Sequence, residues 1–464
     1  MIRDFDPEGT RLPIKLDSTS NGEFPPIPLS RTNRSANRLA QEWATRDATR
    51  RGWSRRAFLT SVCGAASTLL AFNVANAAAG QDGGVFALAD AAAVDPELAA
   101  QKLAGTEFIF DVQGHFIGEA ALQPGDPRGQ QHFIKDVFLD SDTDMMVLSF
   151  VPSRRDSEPL TIQEADAVRQ LIEEMEGNHR LLLHGRVNPN QAGDLEGMDE
   201  LAERWGVVAW KTYTQWGPDG RGYFLSDAET GLPFIEKARH LGVKVICVHK
   251  GVPFGRRSYE HSLCDDIGVV AKMYPDVDFI VYHSGWVPGQ PEVAYNPGLR
   301  RDGVDSLIRS LIDNDVPPNS NVYAELGSTW RGWMREPNSA AHGLGKLLTY
   351  VGENNVLWGT DSVWYGSPQD QIQTFRVFQI SPELQEQYGY PVLTPELRAK
   401  VFGLNATKPY RISVAEVMKR ASLDAITQQR LAYRDRPNPH FLTLGPKTQR
   451  EFWQLRRLHG AAPG

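Results

Sequence analysis

EFIFDVQGHF, Glu107–Phe116, decides how this chain is read. Its first six residues are mostly apolar on both faces, as in a strand covered on both sides by helices. At its end Gln113 and His115 stand two apart and therefore share a face. Seven more such runs follow: MMVLSFV (145–151), RLLLHGRV (180–187), GVVAWKTY (206–213), VKVICVHK (243–250), VDFIVYH (277–283), NVYAELG (321–327) and NVLWGTD (355–361). Helical patterns separate them, such as TIQEADAVRQLIEEMEG (161–177), opened by a Thr161–Glu164 capping box, and DSLIRSLIDND (305–315). Eight strand–helix units in about 255 residues predict an α/β fold, a TIM (β/α)8 barrel. No G-x-G-x-x-G follows a strand to favour an open doubly wound sheet.

Barrel enzymes place their chemistry at the C-terminal ends of the strands. That rule turns the runs into a site: Gln113 and His115 from the first, Lys211 from the fourth, His249 from the fifth, His283 from the sixth, Glu325 from the seventh and Asp361 from the eighth. Histidines and a carboxylate converging at strand ends can hold one divalent cation.

The chain has 464 residues, 41% hydrophobic and 23% charged, which is ample for one large core. A net charge of -8 argues against a nucleic-acid partner. Three cysteines, Cys63, Cys247 and Cys264, make neither a disulfide scaffold nor a cysteine-rich zinc site. Residues 1–53 are polar and rich in Pro, Ser, Asn and Arg, and are expected to be disordered. Over 54–79, SRRAFLT (Ser54–Thr60), the mildly apolar SVCGAASTLLAFNV and the ANA of Ala75–Ala77 match a twin-arginine export signal, with a surface helix or an uncleaved anchor as the other reading. The implied partner is the twin-arginine translocation machinery, and the implied location is periplasmic or secreted. A linker is expected over 80–104, the barrel over 105–412, and a C-terminal extension over 413–464 with a helix near 446–460.

The loops after the strands carry Tyr213, Trp216, Trp286, Trp330, Trp333, Trp364 and Tyr365. Arg154, Arg155, Lys250, Arg256, Arg257, Arg331 and Arg335 lie among them. Trp is rarely exposed repeatedly without use, so these loops are expected to wall a pocket or a subunit contact. With the cations they point to a small apolar or aromatic substrate bearing a carboxylate. Lys211 is read as a binder of that carboxylate, as a carboxylated metal bridge, or as the partner of Glu325 in a buried ion pair.

The D-x-x-x-H of Asp111–His115, VHKG with His249, YHSGW with His283, WGTDSVW with Asp361 and VFGLNATKPY (Val401–Tyr410) together resemble the amidohydrolase superfamily, in the amidohydrolase-related branch that includes the aminocarboxymuconate-semialdehyde decarboxylase type. The resemblance spans roughly 106–412. It implies one divalent metal, zinc or else manganese, held by Gln113, His115, His249 and Asp361. His283 would face the reaction centre and stabilise an oxyanion, and Asp361 would serve as proton acceptor for a metal-bound water. The expected activity is hydrolysis, with non-oxidative decarboxylation on the same fold as the alternative and a metal-free binding protein as a third reading. The family pattern has a second histidine where this chain has Gln113, whose amide oxygen is a weaker and harder donor. Substrate contacts are expected from Lys211, Trp286, Trp330, Trp364 and Glu325, and a homo-oligomer is an open expectation.

Overall fold

The computed structural model describes residues 6–174, 179–255, 258–421, 425–435 and 437–458. Ten strands occur in it: β1 (Gly84–Phe86), β2 (Phe110–Gly114), β3 (Met145–Leu148), β4 (Leu181–Arg186), β5 (Ala209–Tyr213), β6 (Val245–His249), β7 (Asp278–Tyr282), β8 (Val322–Glu325), β9 (Val356–Leu357) and β10 (Phe378–Ile380). β2 to β9 lie side by side in chain order, each parallel to the next. The ends of this sheet meet: the Val112 amide donates to the Trp358 carbonyl at 3.0 Å and the Asp361 amide to the Gln113 carbonyl at 3.0 Å. A parallel bridge between Gly114 and Ser362 completes the closure. The fold is the predicted TIM barrel.

Side chains alternating along the strands fill its interior. Phe110, Val112, Met145, Val147, Cys247, Ile280, Tyr282, Tyr323 and Leu357 form one buried cluster, which Phe108 and Tyr410 extend. The alternate positions, among them Ile246, Val248, Phe279 and Val281, pack in the larger core with the surrounding helices. Both quoted helices form, over Ile162–Glu174 and Val304–Asp313, and Thr161 and Glu164 cap each other as expected.

The N-terminal region departs from the expectation of disorder. Within residues 6–53, α1 (Arg31–Arg51) runs from a Ser30 cap to a left-handed Gly52, and the short α2 (Arg55–Leu59) follows. The physical reason is a stripe of Ala36, Ala40, Ala44 and Ala48, all buried, at helical spacing. Side chains this small give little hydrophobic signal, yet they let α3 (Val62–Ala77) pack closely against α1. α3 is the segment matching an export signal. Phe58, Leu69 and Phe72 are fully buried in the core shared with the barrel helices. The expected linker also folds: β1 pairs antiparallel with β10, and Asp95 caps a helix over Pro96–Leu103. The described part of the C-terminal extension carries helices over Val414–Ala421, Ala425–Asp435 and Gln449–Leu458, the last within the predicted run. Among the described residues no helix is long and apolar enough to cross a membrane.

Residues 6–30 form a strap laid across the C-terminal ends of the barrel strands. Lys15 pairs with Asp370 at 3.4 Å, Asp17 pairs with Arg331, and Phe24 meets Trp286 edge-on with ring centroids 5.9 Å apart. Leu12, Ile14 and the polar run Ser18–Asn21 are all buried. The strap is thus part of the core, and it covers the barrel mouth.

Candidate metal and active site

A bulge in β2 builds the first half of the site. Asp111 pairs with Met146 and Gly114 with Leu148, so β2 carries one residue more than its partner over that interval. A bulge re-aims the side chains around it. Here both Gln113 and His115 reach Asp361: the Gln113 amide donates to Oδ1 at 3.1 Å, and His115 Nε2 lies 3.2 Å from the same oxygen. The other oxygen, Oδ2, accepts from Asn21 of the strap at 2.9 Å and from the Ser328 hydroxyl. Burial alone would raise the Asp361 pKa, but the hydrogen bonds of His115 and of the Ser328 hydroxyl hold it well below the usual carboxylate range.

His249 and His283 form the second half, both fully buried, with ring centroids 4.5 Å apart. Their tautomers are assigned from the acceptors they meet. His283 Nδ1 lies 2.6 Å from the Gly327 carbonyl, and His249 Nε2 lies 3.4 Å from the Val252 carbonyl. The remaining nitrogens, His283 Nε2 and His249 Nδ1, therefore present lone pairs and have no hydrogen-bond partner. Burial lowers the His283 pKa to about 4 and drives that of His249 well down, so both rings are neutral. A neutral His283 with its proton on Nδ1 is an electron-pair donor. In that form it suits a metal, whereas the expected oxyanion-stabilising role would need the proton on Nε2.

Backbone strain concentrates here. Val252, His283, Ser284, Ser328 and Asp361 all have φ between 38° and 64°. Side chains other than glycine rarely adopt that region, and such residues collect where a structure over-determines them, commonly at active sites.

The strap contributes the carboxylate of Glu23. Its Oε1 lies 3.8 Å from His249 Nδ1 and its Oε2 3.9 Å from His283 Nε2, while Asn21 donates to Oε2 at 2.6 Å. Glu23, His249 and His283 are one of two groups of three ligand atoms lying within 4.8 Å of one another among the described residues. Of the set implied by the resemblance, Gln113, His115, His249 and Asp361, the two histidines and the aspartate form no such group among the described residues. Two imidazole lone pairs, a nearby carboxylate and an orphaned buried Gln113 Oε1 nonetheless suit a divalent cation.

The remaining expected residues divide. Lys211 is buried, its Nζ 3.5 Å from the Tyr282 ring centroid and 4.7 Å from that of Tyr213. Burial lowers its pKa to about 8, against the opposing pull of Cys247, Glu23 and Glu325. Among the described residues it makes no ion pair with Glu325, whose carboxylate instead takes the backbone amides of His283 and Gly327. A Cβ at Gly327 would lie 2.4 Å from both Gln113 Oε1 and Glu325 Oε1, so any larger residue there would displace one or both side chains. Trp286 and Trp364 lie near the mouth, the latter 6.4 Å from the His115 ring. Trp330 does not: it is fully buried against Phe375 and Phe378, with its indole N–H on the Gln371 carbonyl. Trp333 is likewise core. Of the expected cations, Arg331 holds Asp17, Arg335 reaches the Ile27 carbonyl and Lys250 pairs with Asp266, while Arg256 and Arg257 lie outside the described residues.

A cleft remains between strap and barrel, lined by Phe24, Ile27, Trp286, Ser328, Arg331 and Arg335. It reaches the Asp361 carboxylate through Ser328. Asn21, Glu23 and Ser328 went unseen in the sequence. Nothing in a polar N-terminal stretch marks a carboxylate as one that will enter a barrel some 200 residues away.

The amidohydrolase family description matches residues 110–412. No curated protein matches the chain. Similar solved structures include an uncharacterized TIM-barrel protein from Bordetella bronchiseptica (11% identity, covering 68% of this chain and 99% of that one, TM-score 0.44). A 2,6-dihydroxybenzoate decarboxylase (15%, 66% and 100%, TM-score 0.41) and a 5-carboxyvanillate decarboxylase from Sphingomonas paucimobilis (12%, 66% and 100%, TM-score 0.41) are also similar.

If Gln113 orients Asp361, as its amide hydrogen bond indicates, then Gln113→Leu should lower kcat by about 10-fold or more, since a hydrogen bond to a charged group is worth about 1.5–3 kcal/mol. Gln113→His retains an N–H donor, and its metal content by elemental analysis should equal or exceed that of the unmodified protein.

Proposed function

This chain belongs to the amidohydrolase family, and from that premise we propose that it is a metal-dependent hydrolase of a small aromatic or apolar substrate bearing a carboxylate. One observation carries the reading: an ionised Asp361, held by four donors, stands beside two unprotonated imidazole nitrogens in a water-poor barrel end. His249 and His283 would hold the cation, with Gln113, His115 and Asp361 adjacent. A bound divalent cation supplies Lewis acidity, polarising a carbonyl and acidifying water. Asp361 takes the proton from the attacking water and returns it to the leaving group. Gln113, Asn21 and Ser328 keep its two oxygens aimed. The aromatic and cationic residues around this narrow crevice, Phe24, Trp286, Arg331 and Arg335, support the substrate class.

The test is a screen of aryl carboxylate esters, lactones and amides in ¹⁸O-labelled water with the metal-loaded protein. Label in the product carboxylate is expected. Release of carbon dioxide without label sinks hydrolysis and transfers the assignment to decarboxylation.

Lys211 is proposed to hold the substrate carboxylate. It is cationic below about 8 and neutral above, so KM should climb as pH rises through that value. In Lys211→Met, KM should be high at every pH. A KM profile unchanged by the substitution removes Lys211 from the binding site.

Twin-arginine export is proposed on SRRAFLT. Arg55→Lys with Arg56→Lys should leave the chain in the cytoplasm by cell fractionation, and normal delivery of that double variant refutes the signal. Because α3 is buried in the fold, cleavage after Ala77 would leave the strap and α1 held only by non-covalent contacts.

A further inference from the structure

At the end of the first barrel strand Gln113 offers an amide oxygen and not a ring nitrogen. The strap brings a carboxylate to that region. Two fully buried histidines aim unpartnered lone pairs at the space that Glu23 enters, because each has its single proton committed to a backbone carbonyl. An ionised carboxylate facing two lone pairs is repulsive unless a proton or a metal cation lies between them, and separations of 3.8 and 3.9 Å are too long for a shared proton. Donors about 2.1 Å from a tetrahedral zinc ion stand about 3.4 Å apart, so separations of 3.8 and 3.9 Å need close by only a few tenths of an ångström. Asn21 fixes the angle, since its one amide group donates to both Glu23 and Asp361. The strap is anchored on either side of these residues, by Asp17 on Arg331 and by Phe24 on Trp286.

We propose that Glu23 is a metal ligand, carried into the barrel mouth by the N-terminal strap and completing with His249 and His283 a three-donor site for one divalent cation. The proposal rests on the metal-dependent reading above. It makes the strap a structural part of the active centre, and a barrel without residues 6–30 would bind the cation weakly.

The experiment uses the full chain, stripped with a chelator and titrated with Zn²⁺ against a competing indicator, and with Co²⁺ followed by its visible absorption. The variants are Glu23→Gln, which keeps the shape and can still accept from Asn21, and Glu23→Ala. Circular dichroism and a thermal melt check that both fold. In both variants the Zn²⁺ Kd should rise by more than the about 10–100-fold that an outer-shell partner costs, and the Co²⁺ spectrum should change. If the unmodified chain binds metal and either variant matches its Kd and spectrum, Glu23 is not a ligand, while the metal-dependent reading stands. Higher turnover in Glu23→Gln at unchanged metal affinity would mark Glu23 as a plug and equally overturn the proposal. If the unmodified chain binds neither ion, both readings fall.

Discussion

Asp361→Asn is expected to lower kcat by about 10²–10⁴-fold, the range over which a positioned general base contributes. The substitution keeps the size of the side chain but removes the proton acceptor. It also turns an NH₂ group toward neighbours that are themselves donors, on one side Gln113 and on the other Asn21 and Ser328. The loss should appear in kcat more than in KM, because the role is confined to proton transfer. Steady-state kinetics on protein of verified metal content gives the answer. If kcat falls by less than about 10-fold while metal content is unchanged, Asp361 is not the base. The left-handed backbone at Asp361 makes the same point structurally, since a strained φ of 58° is kept where the carboxylate must be aimed.

The second large effect is on stability. Asp111, the first residue of the D-x-x-x-H, is fully buried, and its carboxylate meets no side chain of the proposed site. It accepts from the backbone amide of Gln113 at 3.0 Å, from the backbone amide of Thr360 at 3.1 Å and from the Thr360 hydroxyl. It ties the first barrel strand to the turn after the last one, where β9 and β2 otherwise meet through a few backbone bonds. Asp111→Ala strands two backbone donors, at about 1–3 kcal/mol each, and should cost about 2–6 kcal/mol in chemical denaturation. Asp111→Asn keeps one acceptor oxygen and should cost less. Equal stability of all three proteins would remove this residue from the barrel closure.

Much was legible in the amino-acid order because it depends on local periodicity. Eight buried strands separated by amphipathic helices specify a barrel, and chain order alone assigns Gln113, His115, His249, His283, Glu325 and Asp361 to strand ends, while Lys211, expected there too, falls inside β5. The Thr161 cap and the helices over Ile162–Glu174 and Val304–Asp313 follow from contacts three or four residues apart. What needed the tertiary structure lies in long-range pairing. The alanine stripe of α1 is almost silent as hydrophobicity, and only the close approach of α3 turns it into core. Trp330 reads as a pocket wall from its place in a loop, yet Phe375 and Phe378 claim it for packing. The histidine tautomers depend on the carbonyls of Val252 and Gly327, set by loop geometry that no motif encodes. Glu23 sits 226 residues before His249 in the chain. No spacing rule links the two, and only the folded strap, anchored by Asp17 and Phe24, brings that carboxylate to the two lone pairs.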